Sequence, residues 1–122
     1  MEKSKVRRIA TITGCILLIV MALFHSSGIY YITELVQKSN TEPFLKEILP
    51  VLFLHPSIQL FGLAMLGILT LFMKYEFQKI LGFIVILVLI DSFLAFYLGA
   101  ILPGVLLALS AFVLGLGAVK SK

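Results

Sequence analysis

Residues 80–98 of this 122-residue chain read ILGFIVILVLIDSFLAFYL, and this stretch decides the fold. The run is apolar except for Asp91 and Ser92 near its middle and Tyr97 near its end. A helix of about 20 residues crosses the ~30 Å hydrocarbon core of a bilayer, so the run predicts a transmembrane helix. The composition agrees, because 61% of the residues are hydrophobic and 13% are charged, against ~45–50% and ~25% in soluble domains. We therefore expect lipid to surround most of the chain.

Three further apolar runs accompany this one. Together they predict an all-α, integral membrane four-helix transmembrane bundle with short loops, as a single domain over residues 1–122. The predicted spans are about 8–34, 48–73, 79–98 and 103–119. Gly99 to Gly104, with Pro103 between them, predicts a tight turn before the last span. Residues 43–49 read either as a short interfacial helix or as the first turns of the second span, and the sequence leaves both readings open.

Lysine and arginine are distributed unevenly between the two ends of this predicted bundle. The end with both termini and residues 74–79 holds Lys3, Lys5, Arg7, Arg8, Lys74, Lys79, Lys120 and Lys122, and the opposite end holds Lys38 and Lys46. Because cytoplasmic loops carry the excess of Lys and Arg, we expect both termini in the cytoplasm, in a plasma or inner membrane. The lipid bilayer is then the expected partner, and topology explains the sequence pI of about 9.4 without nucleic acid.

Helical spacing marks a stripe of small and polar residues on three of the spans. Span one carries Thr11, Gly14, Leu18, Met21, His25, Gly28 and Ile32; span two carries His55, Gln59, Gly62, Leu66, Thr70 and Met73. Span four carries Gly104, Ala108, Ala111, Gly115 and Ala118. Small and polar residues in membrane helices face other helices, so we expect all three stripes to face the bundle interior. The last stripe predicts close packing, within the bundle or between two copies of the chain.

His25 and His55 form the first candidate site. Each lies 15 positions from Asn40, the middle of the loop between spans one and two, so unbroken helices would place both imidazoles at one depth. Three readings stay open: a hydrogen bond to a neighbour or to a carbonyl freed by Pro56, a ligand or metal site, or a proton relay. Heme needs ligands further apart than helices ~8–10 Å apart allow, and a metal would find half of a tetrahedral set. The cofactor, metal or heme, therefore stays unassigned.

Asp91 is the most unusual residue of the sequence. It lies eleven residues into span three, ~16 Å along the helix and near the bilayer midplane. A charge there costs ~2.5–3.5 kcal/mol, and an intramembrane acid is by default a functional-site hypothesis. The carboxyl either makes a structural interhelical hydrogen bond, with Ser92, Ser110 or Gln59, or handles protons or cations. Tyr97 lies near the histidine level and reads as an interfacial anchor or as a site residue.

Three functions follow as hypotheses. The first is a ligand-binding or accessory membrane protein, with a polar pocket lined by His25, His55, Gln59, Asp91 and Tyr97. The second is a proton- or cation-coupled small transporter that acts as a dimer and titrates at Asp91. The third is a structural subunit of a larger membrane complex. The sequence has no catalytic motif and only short polar segments, which argues against an enzyme.

Overall fold

Five α-helices and one 3-10 turn make up the computed structural model, which describes residues 2–119 and their side chains from Ser4 onward. The helices are α1 (Glu2–Ser27), α2 (Ile29–Lys38), α3 (Pro43–Leu69), α4 (Phe77–Tyr97) and α5 (Ile101–Val119), with the 3-10 turn at Thr70–Phe72. Residues 2–119 contain no strand. Four segments are long and apolar enough to cross a membrane: Ser4–Lys38, Pro43–Phe72, Phe77–Tyr97 and Ile101–Val119. The prediction of an all-helical chain with four such segments is confirmed.

The bundle has two ends, which we name by what they hold. The loop end holds residues 39–42 and 98–100, and the terminal end holds the start of α1, residues 73–76 and the end of α5. α1 packs against α3 and α5, and α5 packs against α4, whereas α3 and α4 touch only slightly. The order around the bundle is therefore α3, α1, α5, α4. Its centre is an apolar core that includes Leu18, Ala64, Leu81, Ile84 and Leu114.

The first span consists of two helices that meet at Gly28, where a single run was predicted. The hydroxyls of Ser26 and Ser27 donate to backbone carbonyls three residues earlier, at 3.0 Å and 2.6 Å. Such bonds compete with the regular helical pattern and bend helices. A Cβ at Gly28 would lie 3.2 Å from Cζ of Phe53, so the chain passes close to α3 at this point.

The second span starts earlier than predicted. Pro43 occupies the first turn of α3, where its missing N–H leaves no bond unmade. Residues 43–49 form the first turns of this helix and no separate interfacial helix. Pro50 and Pro56 lie inside α3, and each removes one intrahelical hydrogen bond.

The turn between α4 and α5 is set by Gly99. Its φ of +82° is in the left-handed region, which glycine adopts without steric cost. The amide of Ala100 donates to the Ala95 carbonyl at 2.8 Å, and that of Gly99 to the Phe96 carbonyl at 3.0 Å. This pair of bonds is the Schellman pattern that ends many helices. α5 begins at Ile101, so Pro103 lies in its first turn.

Close backbone approach holds α1 on both sides. A Cβ at Gly14 would lie 2.5 Å from Cγ of Leu114 on α5, and a Cβ at Gly67 on α3 would lie 2.6 Å from Sγ of Cys15. Only a residue without a side chain allows these two separations. The tightest contacts of α1 with its neighbours therefore depend on one glycine each.

The small-residue stripe of α5 is divided between the interior and the surface. Gly104 and Ala111 are buried, whereas Ala108, Gly115 and Ala118 are partly exposed. A Cβ at Gly115 would meet nothing within 4 Å. Gly115 therefore makes no close helix contact, and packing between two copies stays a prediction.

Candidate functional site

A partly enclosed cavity of about 270 Å³ lies at the loop end and is lined by all four spans. Its wall includes His25 of α1, Pro56 and Leu60 of α3, Asp91 of α4, and Pro103 and Leu107 of α5. His25 and Asp91 are the only lining residues with polar side chains. The volume is near the lower end of the ~300–1,000 Å³ that is typical of ligand pockets.

The helices leave this space open for a local reason. Pro56 lies on the cavity wall, and a proline inside a helix removes a hydrogen bond and kinks the chain. α3 and α4 make few contacts with each other, while α1 and α5 are packed tightly between them. The cavity is the gap that remains between α3 and α4 where they approach the loop end.

His25 is held in place by α3. Its Nε2 lies 2.7 Å from the carbonyl oxygen of Phe53, and its ring stacks on the Phe53 ring with centroids 4.3 Å apart. A carbonyl only accepts hydrogen bonds, so Nε2 carries the hydrogen and donates. Nδ1 has no partner among the described residues. The sequence reading of a bond to a carbonyl near Pro56 matches this geometry, although the expected carbonyl was that of Leu52.

The hydrogen bond from His25 to the Phe53 carbonyl affects Ser57, a residue that the sequence analysis did not single out. The Ser57 hydroxyl is buried and has no hydrogen-bond partner among the described residues. A helical serine commonly donates to the carbonyl four residues earlier, which here is that of Phe53. His25 already occupies that carbonyl. The spacing of Ser57 from Phe53 is visible in the sequence, but the carbonyl that His25 selects is not.

Asp91 lines the cavity without a partner. Within the described part of the chain, its carboxyl makes no hydrogen bond and no ion pair. The two serines expected beside it are engaged elsewhere: Ser92 Oγ donates to the Gly104 carbonyl at 2.8 Å, and Ser110 Oγ to the Gly14 carbonyl at 3.0 Å. These two bonds join α4 to α5 and α5 to α1, and the expected bond between Asp91 and a serine is not present among the described residues.

Asp91 lies in the half of α4 nearer the loop end. α4 begins at Phe77 and ends at Tyr97, so Asp91 is about 21 Å from the first residue and about 9 Å from the last. The sequence placed it near the midplane, in one pocket with the histidines but too deep for direct coordination with them. The structure has Asp91 and His25 on the wall of one cavity, with no direct bond between them.

The predicted inward orientation of His55 and Gln59 is wrong. Both side chains are exposed, and neither lines the cavity. The buried face of α3 is instead formed by Ser57, Leu60, Leu63, Ala64 and Gly67. His55 lies two residues from Phe53, about 200° around a helix with 3.6 residues per turn, so it faces away from α1.

The remaining predicted site features are not brought to the cavity. Tyr97 is 86% exposed at the end of α4. His25 and His55 lie on opposite sides of the α3 backbone, so they do not form a shared metal site. No group of three or more His, Cys, Asp or Glu side chains suited to a metal occurs in the described part of the chain. Of the five predicted residues, the structure places two together, His25 and Asp91.

Comparison with protein families, with curated proteins and with solved structures finds no match for this chain.

Proposed function

We propose that this chain is an integral membrane protein that binds a small amphiphile in the cavity beside Asp91, with the loop end facing away from the cytoplasm. The observation that carries the proposal is the Asp91 carboxyl, which has no hydrogen-bond or ion-pair partner among the described residues. It lines a cavity whose other lining residues, apart from His25, have apolar side chains. An intramembrane acid without an internal partner is costly, and a ligand that pairs with it would offset that cost.

The membrane setting is supported by the outward faces of the helices. Phe83 and Phe93 on α4 and Phe112 on α5 are each at least 60% exposed. Lipid is the solvent in which such a surface is stable, and the four spans have the length and hydropathy to cross a bilayer. The excess of Lys and Arg at the terminal end supports a cytoplasmic location for both termini.

Labelling of introduced cysteines tests the orientation, because the single native cysteine is buried and gives little background. Cys15 is 1% exposed, so a maleimide that cannot cross membranes should label the parent protein weakly. We expect Asn40→Cys to be labelled in intact cells and Tyr75→Cys to be labelled only after the cells are opened. The reverse pattern would overturn the proposed orientation.

The cavity defines the chemistry of the ligand. Its walls are apolar apart from His25 and Asp91, and at about 270 Å³ it holds a short chain or one ring. The Asp91 carboxyl, when ionised, accepts hydrogen bonds and attracts a cation. A small apolar body with one ammonium group meets both requirements, and His25 Nδ1 offers a second acceptor.

Thermal unfolding of the purified protein in neutral detergent tests this function. We expect hexylamine to raise the unfolding temperature of the parent protein more than hexanol does, because only the amine pairs with Asp91. Asp91→Asn should lose most of the amine effect. Gln59→Ala, which changes an exposed polar residue outside the cavity, should keep it. An equal response to amine in the parent and in Asp91→Asn would remove the support for this site.

A second function is favoured by the same unpaired carboxyl. Asp91 could carry a proton or cation in a small transporter, as an acid that titrates inside a membrane often does. The closed apolar core between the cavity and the terminal end, around Leu18, Leu81 and Leu114, favours binding over transport in this conformation. Proton-coupled uptake into liposomes that is abolished by Asp91→Asn would favour the transporter instead.

A further inference from the structure

The terminal end holds a second cavity, which the proposed function does not use. Its volume is about 300 Å³, and it lies between the first turns of α1 and the 3-10 turn after α3. Ser4, Arg7, Arg8, Leu71 and Phe72 line it. Two adjacent arginines and a hydroxyl thus share a wall with two apolar side chains.

Two contacts hold the Arg7 guanidinium in place, and most of its N–H donors stay available to bind an anion. Its Nη2 donates to the Thr70 carbonyl at 3.5 Å, a long bond, and its guanidinium lies 3.9 Å from the centroid of the Phe77 ring. Thr70 caps the C-terminus of α3, where the helix dipole attracts a positive charge. A guanidinium has five N–H donors, so this arrangement orients the group and leaves it able to bind an anion.

Arg8 has no such partner. Its side chain is exposed and makes no hydrogen bond or ion pair within the described part of the chain. At this end of the bundle, the Glu76 carboxylate is paired with Lys79 at 2.6 Å. The cavity therefore carries positive charge that the described residues do not neutralise.

The position of this cavity selects the kind of anion. The arginines lie in the first turns of α1, directly before the apolar run that begins at Ile9. In a membrane-spanning helix, basic residues at this position lie at the level of the lipid headgroups. Phe72 is 81% exposed on the same wall, and Leu71 lies beside it. An anion that carries apolar chains would contact both parts of the wall, whereas a free ion would contact only the polar part.

We propose that this cavity binds the phosphate of an anionic phospholipid, with Arg7 and Arg8 on the headgroup and Phe72 along an acyl chain. Arginine binds phosphate oxygens in a bidentate manner through its planar fork. Basic pockets beside transmembrane helices on the cytoplasmic side bind anionic headgroups in this way. This site is independent of Asp91 and of the cavity at the loop end.

The test measures the affinity of the full-length protein for phosphatidylglycerol in neutral detergent, from the rise in unfolding temperature with lipid concentration. Phosphatidylcholine with the same acyl chains is the uncharged comparison. We expect Arg8→Gln to weaken phosphatidylglycerol binding about fivefold, and Arg7→Gln with Arg8→Gln about 25-fold, because each basic residue contributes about 1 kcal/mol near a membrane surface. Lys46→Gln, which removes a charge at the loop end, should leave the affinity unchanged.

Several results would overturn the proposal. Equal stabilisation by both lipids would show that the arginines do not recognise the headgroup charge. A loss in Lys46→Gln equal to that in Arg8→Gln would show that only net charge matters. A response to inorganic phosphate that matches that to phosphatidylglycerol would assign the site to a free anion. Arg8 makes no hydrogen bond or ion pair with the described residues, so Arg8→Gln keeps the test decisive even where the double variant does not fold.

Discussion

The closest contact between α1 and α3 gives a quantitative test of the packing. A Cβ at Gly67 would lie 2.6 Å from Sγ of Cys15, about 1 Å inside the separation at which such atoms pack best. Cys15 is 1% exposed and short, so it has little freedom to move away. Gly67→Ala should therefore force the two helices apart or displace Cys15 from its place in the core.

Gly62→Ala is the matched control, because Gly62 lies on the same helix and a Cβ there meets nothing within 4 Å. Both variants share the gain in helix propensity of about 1 kcal/mol that alanine has over glycine. Only Gly67→Ala adds the cost of overpacking, about 1–3 kcal/mol. The difference in unfolding free energy between the two variants should therefore be about 1–3 kcal/mol, with Gly67→Ala the less stable.

Unfolding by titration with sodium dodecyl sulfate, followed by circular dichroism, measures this difference. A double-mutant cycle with Cys15→Ala identifies its cause, since removal of Sγ should restore most of the stability lost in Gly67→Ala. Equal stabilities of Gly67→Ala and Gly62→Ala would refute the close approach of α1 and α3. A loss in Gly67→Ala that Cys15→Ala does not relieve would place the clash elsewhere.

Two further substitutions test local geometry by thermal unfolding in detergent. Gly99→Ala puts a side chain at a φ of +82° and should cost about 1–2 kcal/mol. Gly82→Ala lies inside α4, where a Cβ has open space, and should instead stabilise the helix by about 1 kcal/mol; equal losses in the two variants would contradict the turn. Ser92→Ala removes the donor to the Gly104 carbonyl at 2.8 Å and should cost about 0.5–1.5 kcal/mol. Ser26→Ala is its control, and a loss there as large as in Ser92→Ala would count against the interhelical bond.

The fold follows from hydropathy to a large extent. Spans of this length and composition leave helices as the only structure that satisfies the backbone in lipid. The stripe predicted on span one also lies inward, since Thr11, Gly14, Leu18 and Met21 are all buried. These four residues combine small side chains with large apolar ones over about three turns. Tight packing against two neighbours requires that combination.

The stripe on α3 shows where this reasoning fails. His55, Gln59, Gly62 and Leu66 are all exposed. In a helix that is apolar on every side, the few polar residues decide the predicted face, and here His55 and Gln59 lie on the exposed face. The buried face instead includes Gly67, where close packing against Cys15 requires a glycine. That contact belongs to the tertiary structure and is not visible in the sequence of α3.

Asp91 and His25 show that a polar residue in a span is better evidence for a binding site when it has no partner within the bundle. The serines near Asp91 bind backbone carbonyls, and His25 Nε2 donates to the Phe53 carbonyl, so each of these donors is satisfied within the bundle. The Asp91 carboxyl has no such partner among the described residues. A polar group with an internal partner stabilises the fold, and no ligand is needed to explain its presence. The carboxyl on the cavity wall does call for a ligand, and for that reason the proposed function rests on Asp91, with His25 Nδ1 as a second acceptor.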